Sequence, residues 1–410
     1  MIQLSLDFVR GQFPAFSEPS LRDWSFFDCA GGSFACRYAI WRLHRFYRER
    51  KVQPYAPYPA SERGGEEMDE ARRRLALILG VDRNELCFGP STTQNVYVLA
   101  QAFGEWLQPG EAIVVTDQDH EANSGAWRRL AHHGVDVREW KIDPQTGHLD
   151  IEALEPLLED GRVRLVCFPH CSNVIAELND VARICRIVRR AGAYSCVDGV
   201  SYAPHGLPDV GRLGADVYLL STYKTYGPHQ GLMTIRNSLA ERLPNQAHAF
   251  NADTPSKRFT PAGPDHAQVA ACAGIADYID ALYHHHSKVG RDVTGRAAIM
   301  GEAMRAREIS LMTPLLDYLD QRQDLRLLGP RSARARAPTF AFDLGRPAQP
   351  VARAMAEMGV MCDGGDFFAV RPLAAMGVDP AYGVLRLSFV HYTSEADVER
   401  LIRALDQVVR

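Results

Sequence analysis

The sequence has no apolar run long enough to cross a membrane and no excess of charge of one sign. Its 46 lysines and arginines stand against 50 aspartates and glutamates, which gives a net charge of -4. This balance offers no electrostatic argument for binding nucleic acid or an anionic membrane. The first ten residues lack the basic-then-apolar pattern of a secretion signal. We therefore expect a cytoplasmic protein without nucleic-acid or membrane partners.

Cysteine is scattered along the chain, and no CxxC pair occurs. An odd number of cysteines in apolar segments does not resemble a disulfide framework, and the missing CxxC removes the usual support for a structural zinc site. We expect no metal and interpret most cysteines as small buried hydrophobic residues. The nine are Cys29, Cys36, Cys87, Cys167, Cys171, Cys185, Cys196, Cys272 and Cys362.

Short apolar runs alternate with amphipathic stretches from about residue 85 to residue 236. Such alternation predicts a mostly parallel sheet with helices on both faces, and ligands of such sheets bind beyond the carboxyl ends of the strands. Predicted strands cover residues 85–89, 112–116, 135–140, 165–169, 194–198, 217–221 and 232–235, and predicted helices cover residues 93–103, 123–133 and 180–191.

The pattern changes after about residue 290. A long helical stretch at 295–322 is followed by short strands at 325–328, 339–344 and 384–391 and by helices at 350–358 and 394–409. With 410 residues, two domains are the default expectation. We predict a large α/β domain over residues 22–290 and a small α+β domain built from residues 1–21 and 291–410.

Lys224 follows an apolar stretch that is predicted to be a buried strand. Burial of an ammonium group is costly, but it is tolerated when the amine is consumed in an imine. Such a lysine must lie where its pKa can be lowered and where neighbouring groups hold a cofactor. Taken alone, Lys224 could equally be a solvated loop lysine.

Asp198 closes the preceding strand, about 26 residues upstream of Lys224. Pyridoxal 5'-phosphate (PLP), which forms an imine with lysine, acts as an electron sink only while its ring nitrogen stays protonated, and an acidic partner enforces that state. Asp198 is well placed for this role. The alternative is that it caps the turn before Gly199.

Residues 91–95, rich in hydroxyl groups, stand between a predicted strand and a predicted helix. Hydroxyls and free backbone N–H groups at a helix N-terminus form an anion site that suits a phosphate dianion. Ser91 or Thr92 could also be an ordinary N-cap, and both roles can hold for the same residues.

Three further polar residues follow or lie on predicted strands. His120 could stack on a flat ring or assist proton transfer, although a loop histidine often has no such role. Asn173 could donate a hydrogen bond to the phenolate oxygen of the ring. Arg386, on a strand of the small domain, could grip a substrate carboxylate at two points, or could be structural.

The order and spacing of these segments resemble the class V aminotransferase superfamily, and within it the cysteine desulfurase and selenocysteine lyase group. The similarity covers nearly the whole chain. The matching segments, with the family pattern after each, are FDCAGG at 27–32 (LDxAA), STTQN at 91–95 (GTTE-x-N), DHEAN at 119–123 (EHHAN), HCSNV at 170–174 (HxSNV), VDGVSYAPH at 197–205 (VDGAQxxPH) and STYKTYGP at 221–228 (SxHKxxGP).

The resemblance implies a PLP-dependent enzyme of fold type I, the aspartate aminotransferase-like fold, with a Schiff base on Lys224. It implies that His120 stacks on the cofactor ring and that Asp198 meets the ring nitrogen. It further implies a homodimer in which residues 259–266 of one subunit approach the phosphate site of the other. Additional cofactor contacts would come from Ser91, Thr92, Thr93, Asn173, Ser201, Ser221 and Tyr223, and substrate contacts from Arg386, Ala30 and Gly31.

The chain departs from the family pattern at several positions. Ser201 stands where the family has glutamine, which shortens or removes a hydrogen bond to the ring oxygen. Pro264 replaces a threonine in the segment 259–266 that would approach the phosphate site of the other subunit. Desulfurases carry a nucleophilic cysteine on a loop that matches residues 361–369, and its position falls on Phe368. Cys362 lies six residues earlier and would need a different loop path. These departures argue against persulfide-forming desulfuration.

We predict a PLP-dependent enzyme that acts on an L-amino acid, and a desulfurase-like C–S lyase of the β-elimination type is the favoured reaction. The amine of Lys224, once freed, would be the base for the α-proton. Two alternatives keep the cofactor: transamination and epimerisation. A third, from another class, is a non-catalytic binding protein on the same fold. The substrate, the reactivity of Cys362 and the existence of a sulfur acceptor stay open.

Overall fold

The computed structural model describes residues 2–322 and 324–409. Thirteen strands form three sheets within these residues. In chain order they are β1 (Ser25–Phe26), β2 (Leu86–Gly89), β3 (Ala112–Thr116), β4 (Asp136–Trp140), β5 (Val163–Pro169), β6 (Tyr194–Asp198), β7 (Val217–Ser221), β8 (Gly231–Ile235), β9 (Arg326–Leu327), β10 (Thr339–Asp343), β11 (Val360–Met361), β12 (Asp363–Gly365) and β13 (Val384–Ser388).

Helices account for most of the remaining regular structure. They are α1 (Leu6–Gly11), α2 (Arg37–Glu49), α3 (Pro59–Leu79), α4 (Thr92–Trp106), α5 (Gly125–Arg128), α6 (Glu155–Leu158), α7 (Val181–Arg190), α8 (Val210–Leu213), α9 (Asn237–Ala240), α10 (His266–Ala271), α11 (Ala273–His286), α12 (Val293–Asp320), α13 (Ala348–Glu357), α14 (Val370–Ala375) and α15 (Glu395–Val408). The long α12 and the α15 helix follow the sheet-forming region, as the sequence pattern predicts.

The central sheet has seven strands in the order β2-β8-β7-β6-β5-β3-β4. Strand β8 pairs antiparallel with both β2 and β7, whereas the other pairs of this sheet are parallel. Every residue of β2, β3, β7 and β8 is buried, which agrees with a sheet covered on both faces. The predicted mostly parallel sheet is therefore confirmed, and its carboxyl ends define one edge for a site.

A second sheet of four antiparallel strands has the order β12-β13-β10-β9. Helices α12, α13 and α15 pack around it over a separate apolar core that contains Phe340, Leu385 and Leu401. The short strand β1 pairs with β11 and so joins the start of the chain to this later part. The predicted small α+β layer is thus present, while the domain limits at residues 22 and 290 stay a prediction.

The helix predicted at residues 123–133 is not continuous, and three long helices were not predicted. Residues 121–133 form α5 flanked by two short 3-10 turns rather than one helix, because the side chain of His120 caps the first turn and Ser124 leaves helical backbone geometry. Of the unpredicted helices, α11 packs against both α2 and α3. Pro59 at the start of α3 and the left-handed Gly80 after it were usable signals.

Candidate functional site

The site lies at the carboxyl ends of β3, β6 and β7. Lys224 sits in a 3-10 turn directly after β7, and Asp198 is the last residue of β6. Because β6 and β7 are paired neighbours, the two residues are brought to the same edge. His120 reaches this edge from the segment after β3. A cavity of about 150 Å³ is lined by Lys224, Asp198 and His120 together with Ser91, Thr92, Thr93, Ser201, Ser221, Tyr223 and His229.

Lys224 is buried in this cavity. Burial, assisted by the positive charge of Arg386, lowers the pKa of Lys224 to about 8, although Asp198 and Asp28 act in the opposite direction. A lysine with this pKa carries an appreciable fraction of neutral amine near neutral pH. Neutral amine is the form that attacks an aldehyde, so the environment of Lys224 suits covalent attachment of a carbonyl cofactor.

Asp198 is a buried carboxylate with one oxygen engaged by the backbone. Its Oδ1 accepts a hydrogen bond from the N–H of Val200 at 2.8 Å. Burial raises the pKa of Asp198, whereas the hydrogen bond from Val200 and the charge of Lys224 lower it. A cation placed against this carboxylate would favour its charged form, and a protonated pyridine nitrogen is such a cation.

The start of α4 supplies hydroxyl groups to the opposite side of the cavity. Ser91 caps α4 by accepting from the N–H of Gln94 at 3.1 Å, so the N-cap role is confirmed for Ser91. The hydroxyl of Thr92 donates to the carbonyl of Leu220 at 3.0 Å and lies 2.8 Å from the hydroxyl of Ser221. These groups join the positive end of a 15-residue helix, an arrangement that suits a phosphate.

Strand β8 passes directly beneath this hydroxyl-rich loop. A Cβ atom at Gly231 would lie 2.3 Å from the carbonyl carbon of Ser91, so only glycine permits the approach. The contact holds the loop against the sheet edge at the same level as Ser221, which pairs with Gly231 across β7 and β8. The hydroxyl-bearing side of the cavity is therefore held against the sheet.

His120 is neutral and has a defined tautomer. Its Nδ1 accepts a hydrogen bond from the N–H of Ala122 at 3.0 Å, which places the proton on Nε2. Burial, together with the charges of Lys224 and Arg386, lowers the pKa of His120 to about 3. The ring is therefore a poor proton acceptor, and it is suited to stacking and to donation from Nε2. A catalytic role for His120 stays a prediction.

A second cavity of about 470 Å³ adjoins the first and shares Thr93, His120, Ala122, Tyr223 and Lys224 with it. Arg386 lines this cavity, and its Nη2 donates to Oδ1 of Asp28 at 3.0 Å. The face of the guanidinium lies 3.8 Å from the ring centroid of Phe367. Arg386 is thus placed to bind a carboxylate, but any such ligand must share it with Asp28.

Asn173, Ala30 and Gly31 also line the second cavity. Nδ2 of Asn173 donates to the carbonyl of Phe367 at 2.9 Å, and its Oδ1 finds no hydrogen-bond partner among the described residues although it is buried. The N–H of Ala30 donates to the hydroxyl of Ser388 at 2.8 Å. The structure therefore brings all of the predicted site residues to two adjoining cavities, and their individual roles stay predictions.

No cysteine lines either cavity among the described residues. Cys362 is half-buried, and burial together with the nearby charges of Asp28 and Asp363 raises the pKa of its thiol to about 12. A thiol with this pKa is protonated and weakly nucleophilic at neutral pH. Among the residues that the structure describes, no cysteine is therefore placed beside Lys224 as an activated nucleophile.

Several residues of the site were not found from the sequence. Asp28 pairs with Arg386, His229 stacks on the predicted residue Tyr223 with ring centroids 4.7 Å apart, and Phe367 covers Arg386. Asp119 is 1% exposed, and burial raises its pKa well above the ordinary value, with the charge of Asp198 adding to the effect. Its position next to His120 in the sequence was the available signal.

Two negative observations complete the description of the site. Within residues 2–322 and 324–409, no group of three or more histidine, cysteine, aspartate or glutamate side chains is placed to hold a metal ion. Over the same residues, no helix is long and apolar enough to span a membrane.

Comparison with known proteins agrees with the geometry. Residues 25–284 and 294–401 match the family model described as aminotransferase class-V. The aminotransferase-like protein FGM3 of Gibberella zeae is 31% identical, over 99% of this chain and 98% of that protein. A cysteine desulfurase of Serratia proteamaculans is 28% identical over 98% of this chain and 97% of its own.

A solved structure extends the comparison to three dimensions. The cysteine desulfurase CsdA from Escherichia coli superposes with a TM-score of 0.81, at 25% identity, over 98% of both chains. PLP is the cofactor of this family. The residues present fit it, since one cavity holds a buried amine, a buried carboxylate, a neutral imidazole and hydroxyls at a helix N-terminus. The chain belongs to the class V aminotransferase family of PLP-dependent enzymes.

Proposed function

We propose that the protein is a C–S lyase that removes a sulfur substituent from the β-carbon of an L-amino acid. The observation that carries this proposal is the position of Lys224, which lines both the cofactor cavity and the adjoining cavity that contains Arg386. An amine shared by the two cavities can hold the cofactor before the substrate binds and move a proton at the substrate afterwards. The similarity to cysteine desulfurases favours sulfur as the leaving atom.

Each residue would contribute a separate part of the reaction. PLP, when bound, withdraws electrons from the bonds at the α-carbon of an amino acid. Asp198 would keep the ring nitrogen protonated, and His120 would cover the ring and donate from Nε2. Arg386 would orient the substrate carboxylate. Lys224, whose pKa of about 8 lies near working pH, would take the α-proton.

Elimination needs no protein cysteine, in agreement with the lining of the two cavities. The proton leaves the α-carbon, the bond between the β-carbon and sulfur breaks, and its electron pair departs with the sulfur. After hydrolysis of the released enamine, the overall products are a thiol, pyruvate and ammonium, and one water is consumed. No oxidant or reductant is required.

The test is product analysis with the holoenzyme. Cysteine, S-substituted cysteines, cysteine sulfoxides and cysteine sulfinate should be incubated separately, and pyruvate and alanine should be quantified. Pyruvate is expected in stoichiometric amounts with the released sulfur species, which is a thiol from an S-substituted cysteine, sulfide from cysteine and a sulfenic acid from a sulfoxide. Alanine would indicate desulfuration instead, a keto acid that retains the sulfur would indicate transamination, and loss of optical activity alone would indicate epimerisation. Substitution of Lys224 with alanine is the negative control.

We further propose a homodimer. Support comes from large apolar side chains exposed on the surface of one chain, among them Trp41 and Tyr47. Residues 259–265 line an open cavity of about 700 Å³ that reaches Ser91, beside the phosphate side of the site. Light scattering on the protein as it elutes from a size-exclusion column should give twice the mass of one chain. The mass of a single chain would contradict the proposal.

A further inference from the structure

The loop from Asp366 to Ala369 holds two neighbouring phenylalanines in an unusual conformation at the edge of the substrate cavity. Phe367 and Phe368 have φ angles of 53° and 55°, in the left-handed region that side chains other than glycine rarely adopt. Consecutive residues of this kind persist only when surrounding contacts fix them, and they concentrate at ligand sites.

Four hydrogen bonds fix the loop from different directions. The carbonyl of Phe367 accepts from Nδ2 of Asn173 at 2.9 Å, and the carbonyl of Phe368 accepts from the N–H of Glu121 at 2.8 Å. Asp366 adds two more, to the N–H groups of Phe368 at 2.9 Å and Ala369 at 2.8 Å. The loop is therefore tied to both walls of the cavity, and the directions of its two rings follow from the backbone.

The two rings have different surroundings. Phe367 is half-buried and its ring packs on the guanidinium of Arg386, so this face of the ring cannot contact a ligand. Phe368 is 69% exposed although it lines the cavity, with its ring centroid 5.5 Å from that of His120. Tyr97, also on the wall of this cavity, is 40% exposed. Both rings line the same cavity and keep exposed apolar area that a ligand group can contact.

The group that would cover this surface can be named from the chemistry. A substrate with its α-carboxylate at Arg386 and its amino group at Lys224 would place its remaining substituent in the cavity that Phe368 and Tyr97 also line. Free cysteine would place only a thiol there and would leave both rings uncovered. An apolar substituent on sulfur would extend from the β-carbon far enough to contact them.

We infer that the substrate is an S-alkyl or S-aryl conjugate of L-cysteine, whose apolar substituent packs against Phe368 and Tyr97. This inference rests on the C–S lyase function proposed above. The balanced reaction joins one conjugate and one water to give the intact thiol of the substituent, pyruvate and ammonium. The sulfur leaves with its substituent, so the phenyl ring of Phe368 has no need to act as an acceptor.

The test compares S-benzyl-L-cysteine with S-methyl-L-cysteine in the wild type and in Phe368→Ala. The kcat/KM for the benzyl conjugate should exceed that for the methyl conjugate by about tenfold or more in the wild type, because a larger apolar group is buried. In Phe368→Ala this preference should fall to less than about threefold. Phe368→Leu should retain most of the preference, and Phe250→Ala, an exposed phenylalanine outside the site, should leave it unchanged.

Calorimetry with two analogues that carry CH2 in place of sulfur separates binding from chemistry. 2-Amino-5-phenylpentanoate should bind the wild type more tightly than 2-aminopentanoate, by about tenfold or more, and this difference should be lost in Phe368→Ala. Pyruvate release at equal efficiency from both conjugates, or a preference insensitive to Phe368, would overturn this inference while the lyase function stands. Absence of pyruvate from every S-substituted cysteine would overturn the lyase function, and this inference with it.

Discussion

The lowered pKa of Lys224 makes a quantitative prediction about the reactivity of the apoenzyme. With a pKa of about 8, roughly one tenth of the amine is neutral at pH 7 and roughly nine tenths at pH 9. Its reaction with a small aldehyde should therefore rise about tenfold over this interval and then level off. A lysine with the ordinary pKa of about 10.4 would react about a hundredfold faster at pH 9 than at pH 7, without a plateau.

The assay is reductive methylation of the apoenzyme at a series of pH values, with the extent of labelling read for each peptide by mass spectrometry. Lys141, which is exposed, provides an internal reference in the same digest. Because the charge of Arg386 lowers the pKa of Lys224 and that of Asp198 raises it, Arg386→Gln should move the midpoint to higher pH and Asp198→Asn to lower pH. A rate for Lys224 that climbs without a plateau through pH 10 would refute the reasoning.

Three further predictions concern stability, cofactor binding and turnover. Between pH 8 and 10.5 the unfolded wild type binds more protons than the folded state, because burial lowers the pKa of Lys224 in the folded state. At pH 7 the Lys224→Met apoenzyme should therefore be more stable than the wild type by up to about 3 kcal/mol. Denaturant titration should show this difference vanish as the pH rises from 8 to 10.5. Thr92→Val should weaken PLP binding about tenfold in equilibrium dialysis, because it leaves the buried hydroxyl of Ser221 without its partner, whereas unchanged affinity would remove Thr92 from the phosphate site. His120→Phe, which keeps a flat ring, should retain clearly more kcat than His120→Ala, and equal losses would show that the donor on Nε2 matters more than stacking.

Much of the sheet was predictable because its strands are short, apolar and buried on both faces. The runs AIVVT and YSCVD became β3 and β6 within the predicted limits. The direction of β8 was not predictable, since an antiparallel strand inside a parallel sheet carries the same apolar pattern as its neighbours. Helix α3 was not predicted because Gly64 and Gly65 weaken a helical pattern. In the structure, the rings of Phe46 and Tyr55 pack against these glycines, where a larger side chain would meet them.

The site was predictable where chemistry is local in the sequence. Lys224 and Asp198 each end a buried strand, and neighbouring strands bring such ends together. Contacts between segments that are distant in the sequence could not be predicted from it. Asp28 and Arg386 are 358 residues apart, and the left-handed backbone that turns Phe367 over Arg386 has no signature in its own residue types. The tautomer of His120 depends on a backbone N–H that only the folded loop supplies.

The central claim is that one amine, that of Lys224, holds the cofactor beside the carboxylate of Asp198. Reduction of the holoenzyme with borohydride, digestion and mass spectrometry test it most directly. The added mass of the reduced pyridoxyl phosphate group should be found on the peptide that contains Lys224 and should be absent from Lys224→Ala. Labelling of another lysine, such as Lys257, with Lys224 unmodified would contradict the account.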